Sequence, residues 1–208
     1  MFSELFTHVS IAFYIAAYLF GSINGAVIIS KIMDLPSPHS VGSGNPGATN
    51  MLRSGGKKAG VLTLIFDLLK GLIIVLIAKF FFHPSQNILM LIGFFAVLGH
   101  IFPLFFKFRG GKGVATLIGA LLGAAPLIGF CFIWTWLVLL AAFRISSLSA
   151  LIACILAPII SYFTEPKAVT GVILISVLFV IFRHRENIKR LCLMQEKRIG
   201  AQKKEPRT

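Results

Sequence analysis

The sequence predicts an all-α integral membrane protein, a bundle of seven transmembrane helices with its N-terminus outside and its C-terminus in the cytoplasm. Three observations carry this. Of 208 residues, 57% are hydrophobic and 13% charged, against roughly a quarter charged in ordinary soluble domains. So few charges leave much of the surface of a small chain uncovered in water, so the apolar surface must face lipid. The formal net charge is +13, and the bases sit in short breaks between long apolar runs and in a tail, the pattern of the positive-inside rule.

A membrane helix needs about 20 apolar residues to cross a core of about 30 Å. The first run covers residues 5–33. It lacks a basic leader and is too long for a cleaved signal peptide. The second covers 59–82, broken only by Asp67, Lys70 and Lys79, and the third covers 87–106. Residues 113–143 carry no charge and are long for one helix but short for two. Gly123 and Pro126 near the middle mark a turn. Runs at 145–164 and 168–182 follow, the last after Glu165-Pro166-Lys167.

Charge decides between one helix and two at 113–143. With a hairpin there, Lys31, Arg53, Lys57, Lys58, Lys107, Arg109, Lys112, Arg144 and the bases from Arg183 onward lie inside. Lys167 lies outside, with Lys79 near the outer surface. A single helix would put Lys112 and the basic tail on opposite sides, which the rule disfavours. Two of the seven helices are then about 15 residues, or about 22 Å, long. Neighbours must shield them, or the bilayer must thin. Residues 1–192 read as one transmembrane domain and 193–208 as a flexible basic cytoplasmic tail.

Cys131, Cys154 and Cys192 are scattered without metal spacing, so neither a disulfide framework nor a zinc site is expected. No acidic cluster for a metal, no HExxH and no GxSxG occurs. The reading therefore expects no metal and no cofactor. Bases confined to membrane-flanking breaks argue against nucleic acid as a partner and for membrane lipid.

The topology gathers three motifs on the inner side. The first, residues 42–53, holds Gly42, Ser43, Gly44, Asn45, Gly47, Thr49, Asn50 and Arg53. The second runs from Gly99-His100-Ile101-Phe102-Pro103 through Arg109-Gly110-Gly111-Lys112-Gly113 to Thr116. The third begins Arg183-His184-Arg185-Glu186-Asn187 and ends at Leu191. Each suits phosphate. Glycines let backbone N–H groups turn toward one anion. Short hydroxyl and amide side chains add donors. Arg53 can grip a phosphate bidentately, and Lys112 can approach it as a point charge. His184 and Asn187, three apart, share a helix face.

Each motif alone also has a plain reading. The first matches G-x-G-x-x-G, but no strand precedes it, so a dinucleotide fold is excluded and a simple loop remains. The second lacks P-loop spacing and could mark a membrane surface. The third could be a basic helix end on anionic lipid. Joint occurrence on one face favours one shared anionic ligand. Within the spans, Asp67 and Lys70 lie one turn apart and read as mutual neutralisation. Ser22 and Asn24 are either interhelical glue or pocket lining. His8, His39 and His83 read as structural or solvated, and Trp134 and Trp136 as lipid-facing or packed. None of the five histidines is followed by Asp after four residues, so the usual acyl-CoA acyltransferase His–Asp arrangement is absent.

These three segments closely resemble the signature motifs of the bacterial acyl-phosphate:glycerol-3-phosphate acyltransferase family (PlsY), and the resemblance covers nearly the whole chain. It implies transfer of a fatty acyl group from acyl phosphate to the 1-hydroxyl of sn-glycerol 3-phosphate, giving lysophosphatidic acid and phosphate. That would be the first acylation of bacterial phospholipid synthesis, at the inner membrane with the site toward the cytoplasm. A soluble acyl-phosphate-producing enzyme is the implied partner.

Ser43, Lys112, His184 and Asn187 are then the expected catalytic residues. Gly42, Gly44, Asn45, Gly47, Thr49, Asn50, Arg53, His100, Gly110, Gly111, Gly113 and Arg183 are the expected substrate-binding ones. A donor phosphate oxygen is the expected proton acceptor, with His100 or His184 as alternatives. The competing class is a small transporter for phosphorylated solutes. It would need polar residues continuing to the outer face, and few are present.

Overall fold

The computed structural model describes residues 2–200, with side chains from residue 11 onward. The described residues form nine α-helices and no strand: α1 (Phe2–Gly21), α2 (Gly25–Ile32), α3 (Ala48–Phe82), α4 (Gln86–Ile101), α5 (Val114–Ala124), α6 (Pro126–Phe143), α7 (Ser146–Thr164), α8 (Lys167–Arg183) and α9 (Arg185–Cys192). A 3-10 turn, Leu104–Phe106, follows α4. Histidine 8 lies outside the described side chains.

Among the described residues, four helices are long and apolar enough to cross a bilayer: α3, α4 with the 3-10 turn, α6 and α7. The bent pairs α1–α2 (41°) and α8–α9 (63°) raise the count to six if each is one span. The chain breaks at Ala125, between the expected Gly123 and Pro126. Pro126 sits in the first turn of α6, where its missing N–H costs nothing. The halves are unequal, however. α5 has only 11 residues, about 16 Å, because the glycine-rich segment before it continues to Gly113, whose φ of 87° stops the helix there.

Two glycine seams set the packing. α5 lies along α3, where a β-carbon on Gly71 would collide with the Thr116 carbonyl and one on Gly119 with the Leu68 carbonyl. α1 lies along α4, with Gly21 against Ala96 and Gly99 against Tyr18 in the same manner. In lipid, close backbone approach through small residues replaces the hydrophobic drive between helices. Large apolar side chains such as Phe81, Trp134 and Phe163 are left facing outward.

The break between α1 and α2 is held by the buried pair on α3. Asp67 and Lys70 stand 2.9 Å apart, as expected, yet they do more than cancel. Lys70 Nζ donates to the Ile23 carbonyl at 2.8 Å, and the Gly25 N–H donates to Asp67 Oδ1 at 3.2 Å. A cation thus meets a carbonyl of the break just past α1, and an anion meets an orphaned N–H at the amino end of α2, each charge suiting the dipole of the nearer helix. Asn24 caps α2 by accepting from the Val27 N–H, and Ser22 Oγ donates to the Tyr18 carbonyl, so both are structural here.

Near its start α3 kinks at Gly56, φ 82°, a conformation suited to glycine. The first turns, with Thr49, Asn50 and Arg53, are thereby separated from the long apolar part.

Candidate active site

The three motifs converge. Ser43, Lys112 and His184 line one cavity of about 410 Å³. A second, of about 490 Å³, opens beside it and shares Ser43, Asn45, Lys112, Asn187 and Arg190. The first has a polar mouth and an apolar arm. Leu64 and Leu68 of α3, Ile118 of α5, and Ile133, Trp136 and Leu140 of α6 line the arm. Trp136 is therefore part of the cavity wall, whereas Trp134 is 71% exposed on the outside. The second cavity is cationic, bordered by Arg109, Lys112, Arg183, Arg185 and Arg190, with His39 at its edge.

The first motif is a loop folded around Asn50. Its Oδ1 accepts from the Ser43 N–H at 2.9 Å, and its Nδ2 donates to the carbonyls of Pro38 and Val41 at 2.9 and 3.1 Å. Asn50 touches the cavity, but both ends of its amide serve the loop. Gly42 (φ 62°) lies with Asn50 Oδ1 where a β-carbon would stand, so it shapes the loop from behind. Gly47 precedes α3 as its N-cap. Thr49 Oγ1 lies 3.1 Å from Ser146 Oγ, tying the start of α3 to that of α7.

The second motif wraps over the end of α4. The Gly111 N–H donates to the His100 carbonyl at 3.1 Å. Arg183, from α8, donates to the carbonyls of Gly110 and Gly111 at 2.9 and 3.2 Å. Arg183 thus fastens the glycine loop that presents Lys112. Gly110 and Gly111 are buried, with His100 atoms pressed against their α-carbons.

The third motif supplies His184 at the α8–α9 bend and Asn187 on α9. His184 Nδ1 lies 2.7 Å from the Val180 carbonyl. A carbonyl only accepts, so Nδ1 carries the hydrogen and Nε2 is left with its lone pair. Burial, then the Lys112 charge, pushes the His184 pKa down to about 4, so the ring is neutral at ordinary pH.

Lys112 Nζ donates to Asn187 Oδ1. Asn187 Nδ2 donates to Glu196 Oε1 at 2.7 Å, where Ser147 Oγ also donates at 2.9 Å, and Arg190 Nε donates to Oε2 at 2.6 Å. Burial pushes the Lys112 pKa down to about 8. Glu196 opposes that shift, while Arg190, Arg53 and Arg183 add to it.

Glu196 is the main residue that sequence reasoning passed over. The expected flexible tail begins at residue 193, yet Glu196 and Ile199 of that segment line the first cavity. Glu196 has a side chain 6% exposed. The Lys197 carbonyl accepts from Arg53 at 2.9 Å, and the Ile199 N–H donates to the Arg144 carbonyl at 2.7 Å. The signal available was an acid, Glu196, directly before the tail bases Lys197 and Arg198. Asp67 and Ser147 also line the cavity without having been expected there. Of the expected site residues, only Gly42 and Gly111 line neither cavity.

A helical membrane bundle that joins an apolar arm to a cluster of cations fits one class, an integral membrane acyltransferase. The family description "Glycerol-3-phosphate acyltransferase" matches residues 11–193, and the chain belongs to that family. A glycerol-3-phosphate acyltransferase of Francisella tularensis subsp. tularensis (strain SCHU S4 / Schu 4) is 50% identical over 186 residues, covering 89% of this chain and 91% of that one. One from Cupriavidus pinatubonensis is 47% identical over 199 residues, covering 94% and 98%. The crystal structure of PlsY (YgiH), an integral membrane glycerol 3-phosphate acyltransferase, in its glycerol 3-phosphate form, superposes with a TM-score of 0.87 at 39% identity, covering 92% of this chain and 96% of that one. Its lysophosphatidic acid form gives 0.83.

Proposed function

We propose that the protein transfers a fatty acyl group from acyl phosphate to the 1-hydroxyl of sn-glycerol 3-phosphate, the first acylation of bacterial phospholipid synthesis. One observation carries this reading: an apolar arm and a cationic hollow meet at Ser43, Asn45, Lys112 and Asn187. A lipid chain and a soluble phosphate ester can meet there.

The chemistry needs positioning more than covalent help, because acyl phosphate is a mixed anhydride with a good leaving group. The glycerol 1-oxygen attacks the acyl carbon. A carbon–oxygen ester bond forms, the bond from that carbon to the phosphate oxygen breaks, and inorganic phosphate departs. Arg53 and Lys112 compensate phosphate charge, and the loop around Ser43 and Asn45 cradles one phosphate. Asn187 steadies Lys112. His184 accepts a hydrogen bond from the 1-hydroxyl through bare Nε2 and aims its oxygen. A group with a pKa of about 4 is a weaker base than a phosphate oxygen, with a pKa of about 6, so the hydroxyl proton goes to the departing phosphate.

The seven-span arrangement belongs to the same reading. α1–α2 count as one broken span, and α5, though short, runs alongside α3 between larger neighbours. The cavities, bordered by Arg53, Arg109 and Arg183, then open on the cytoplasmic side by the charge rule. The N-terminus is outside, the membrane is the inner one, and acyl phosphate arrives from a soluble enzyme that makes it.

The deciding experiment uses purified protein in detergent with a defined acyl phosphate. With glycerol 3-phosphate it should release phosphate in step with lysophosphatidic acid. Equal turnover with acyl-CoA as sole donor would refute the donor assignment.

A further inference from the structure

The cluster of Asp67, Lys70 and His100 fixes more than charge. Lys70 is sealed in the bundle, and its ammonium has three hydrogens for three acceptors: Asp67 Oδ1 at 2.9 Å, the Ile23 carbonyl at 2.8 Å and His100 Nδ1 at 2.9 Å. His100 Nδ1 stands farther from Asp67 Oδ1, at 3.5 Å. A hydrogen on Nδ1 would point toward an ammonium, with the carboxylate beyond the roughly 2.7–2.9 Å of a charge-assisted bond. Nδ1 is therefore an acceptor. The ring is neutral, and its one hydrogen is on Nε2.

That nitrogen lies against Gly111 of the loop that presents Lys112, away from the cluster. His100 lines the cavity, and Nε2 has no hydrogen-bond partner among the described residues. It is also absent from the sealed, unpaired polar atoms found among the described residues, which are Asn24 Nδ2, Thr63 Oγ1 and Thr116 Oγ1. A β-carbon on Gly111 would run into it, so Nε2 fills the hollow beneath the loop that presents Lys112. The two cavity histidines are thus set in opposite tautomers. Val180 leaves His184 Nε2 bare, and Lys70 leaves His100 Nε2 protonated.

We infer that His100 is a fixed hydrogen-bond donor to an anionic oxygen of the bound substrates, with Lys70 as the positioning residue that sets its tautomer. The inference rests on the acyl-transfer reading above and excludes His100 as the base. A neutral donor held in a dry pocket can stabilise developing negative charge without reorganising.

Histidine labelled with nitrogen-15 reads the tautomer directly in the wild-type protein, with His100 assigned by its loss in His100→Gln. The expected spectrum shows a protonated Nε2 and a bare Nδ1. Its Nε2–H signal should move on adding either glycerol 3-phosphate or a non-hydrolysable acyl phosphonate. Movement with the first alone places the oxygen on the acceptor, and with the second alone on the acyl donor. A protonated Nδ1, or a signal unmoved by both ligands while calorimetry shows them bound, would overturn the inference.

Kinetics supply a second arm. His100→Leu should lower kcat/KM by about 100-fold, and His100→Gln, which keeps an N–H donor, should recover at least about tenfold of that. Equal loss in two folded variants would remove the donor role. Wild-type turnover of acyl phosphate is measured first and tests the acyl-transfer reading by itself. The ring spectra need no turnover and judge His100 separately.

Discussion

Asn187 bridges opposite charges: its amide oxygen accepts from Lys112, and its amide nitrogen donates to Glu196 Oε1 at 2.7 Å. An amide has one acceptor end and one donor end, and this pair of neighbours uses both. Asn187→Asp keeps the acceptor but sets two carboxylates side by side and ties Lys112 to a second anion. Loss of a hydrogen bond to a charged group is worth about 1.5–3 kcal/mol, so kcat/KM should fall by about 10- to 100-fold. Steady-state assays with glycerol 3-phosphate varied would check this, and a rate near wild type would remove Asn187 from the site.

Lys112 should set the alkaline limit of activity. Its pKa is pushed down to about 8 chiefly by burial, so the ammonium proposed to bind phosphate is complete below that pH and is lost above it. The limb in log kcat/KM should bend downward near pH 8. Bound phosphate favours the charged form, so the limb in kcat should lie at higher pH. Lys112→Arg keeps its charge throughout the range. Any activity it retains should lack the limb, and an unchanged limb would assign it to another group.

Glu196 should hold the tail across the mouth. Burial alone would raise its carboxyl pKa, but hydrogen bonds from Arg190, Asn187 and Ser147 keep it below the usual range. Its folded-state pKa being depressed, this contribution to stability is present at neutral pH and fades as pH falls through that depressed value. Glu196→Gln removes the anion opposite Lys112, so the alkaline limb should move to lower pH. It should also free the segment that carries Lys197 and Arg198, so trypsin should cut there faster. An unaltered cleavage rate would mean that the Arg53 and Arg144 contacts suffice.

Patterns spread along the chain were legible in the sequence, whereas pairings were not. The break at Ala125 was readable because Gly123 and Pro126 interrupt an uncharged run, and the convergence of Ser43, Lys112 and His184 followed from charge asymmetry. Asn50 and Arg183 carry phosphate-binding side chains, but the structure uses their polar groups to fold the first loop and fasten the second. Side-chain type cannot separate those roles, because a backbone carbonyl and a phosphate oxygen attract the same donors. Asp67 and Lys70 looked self-contained because their i,i+3 spacing accounts for both charges. Only the fold brings the α1–α2 break and His100 to them.

The α3–α5 seam should tolerate no side chain. A β-carbon on Gly71 would strike the Thr116 carbonyl, which is backbone and cannot swing aside. Gly71→Ala should therefore push α5 away and cost about 1–3 kcal/mol, read as a lower melting temperature in detergent. Gly171, with open space around its α-carbon, is the control, and Gly171→Ala should leave the transition where it is. Equal melting of the two variants would show that α5 can shift without loss.

The apolar arm should measure the acyl chain. Ile118 of α5, Leu68 of α3 and Trp136 of α6 line one cavity of about 410 Å³, so added bulk at Ile118 shortens the space without touching the cations at the mouth. Ile118→Phe should lower kcat/KM for a sixteen-carbon acyl phosphate by roughly 10-fold or more, since one misplaced methylene is worth about 1–3 kcal/mol. An eight-carbon donor, which ends before the obstruction, should be little affected. KM for glycerol 3-phosphate should not change, because Ile118 lies outside the cationic cavity bordered by Arg109, Lys112 and Arg190. Equal losses for both chain lengths would mean that the acyl chain lies along a different path.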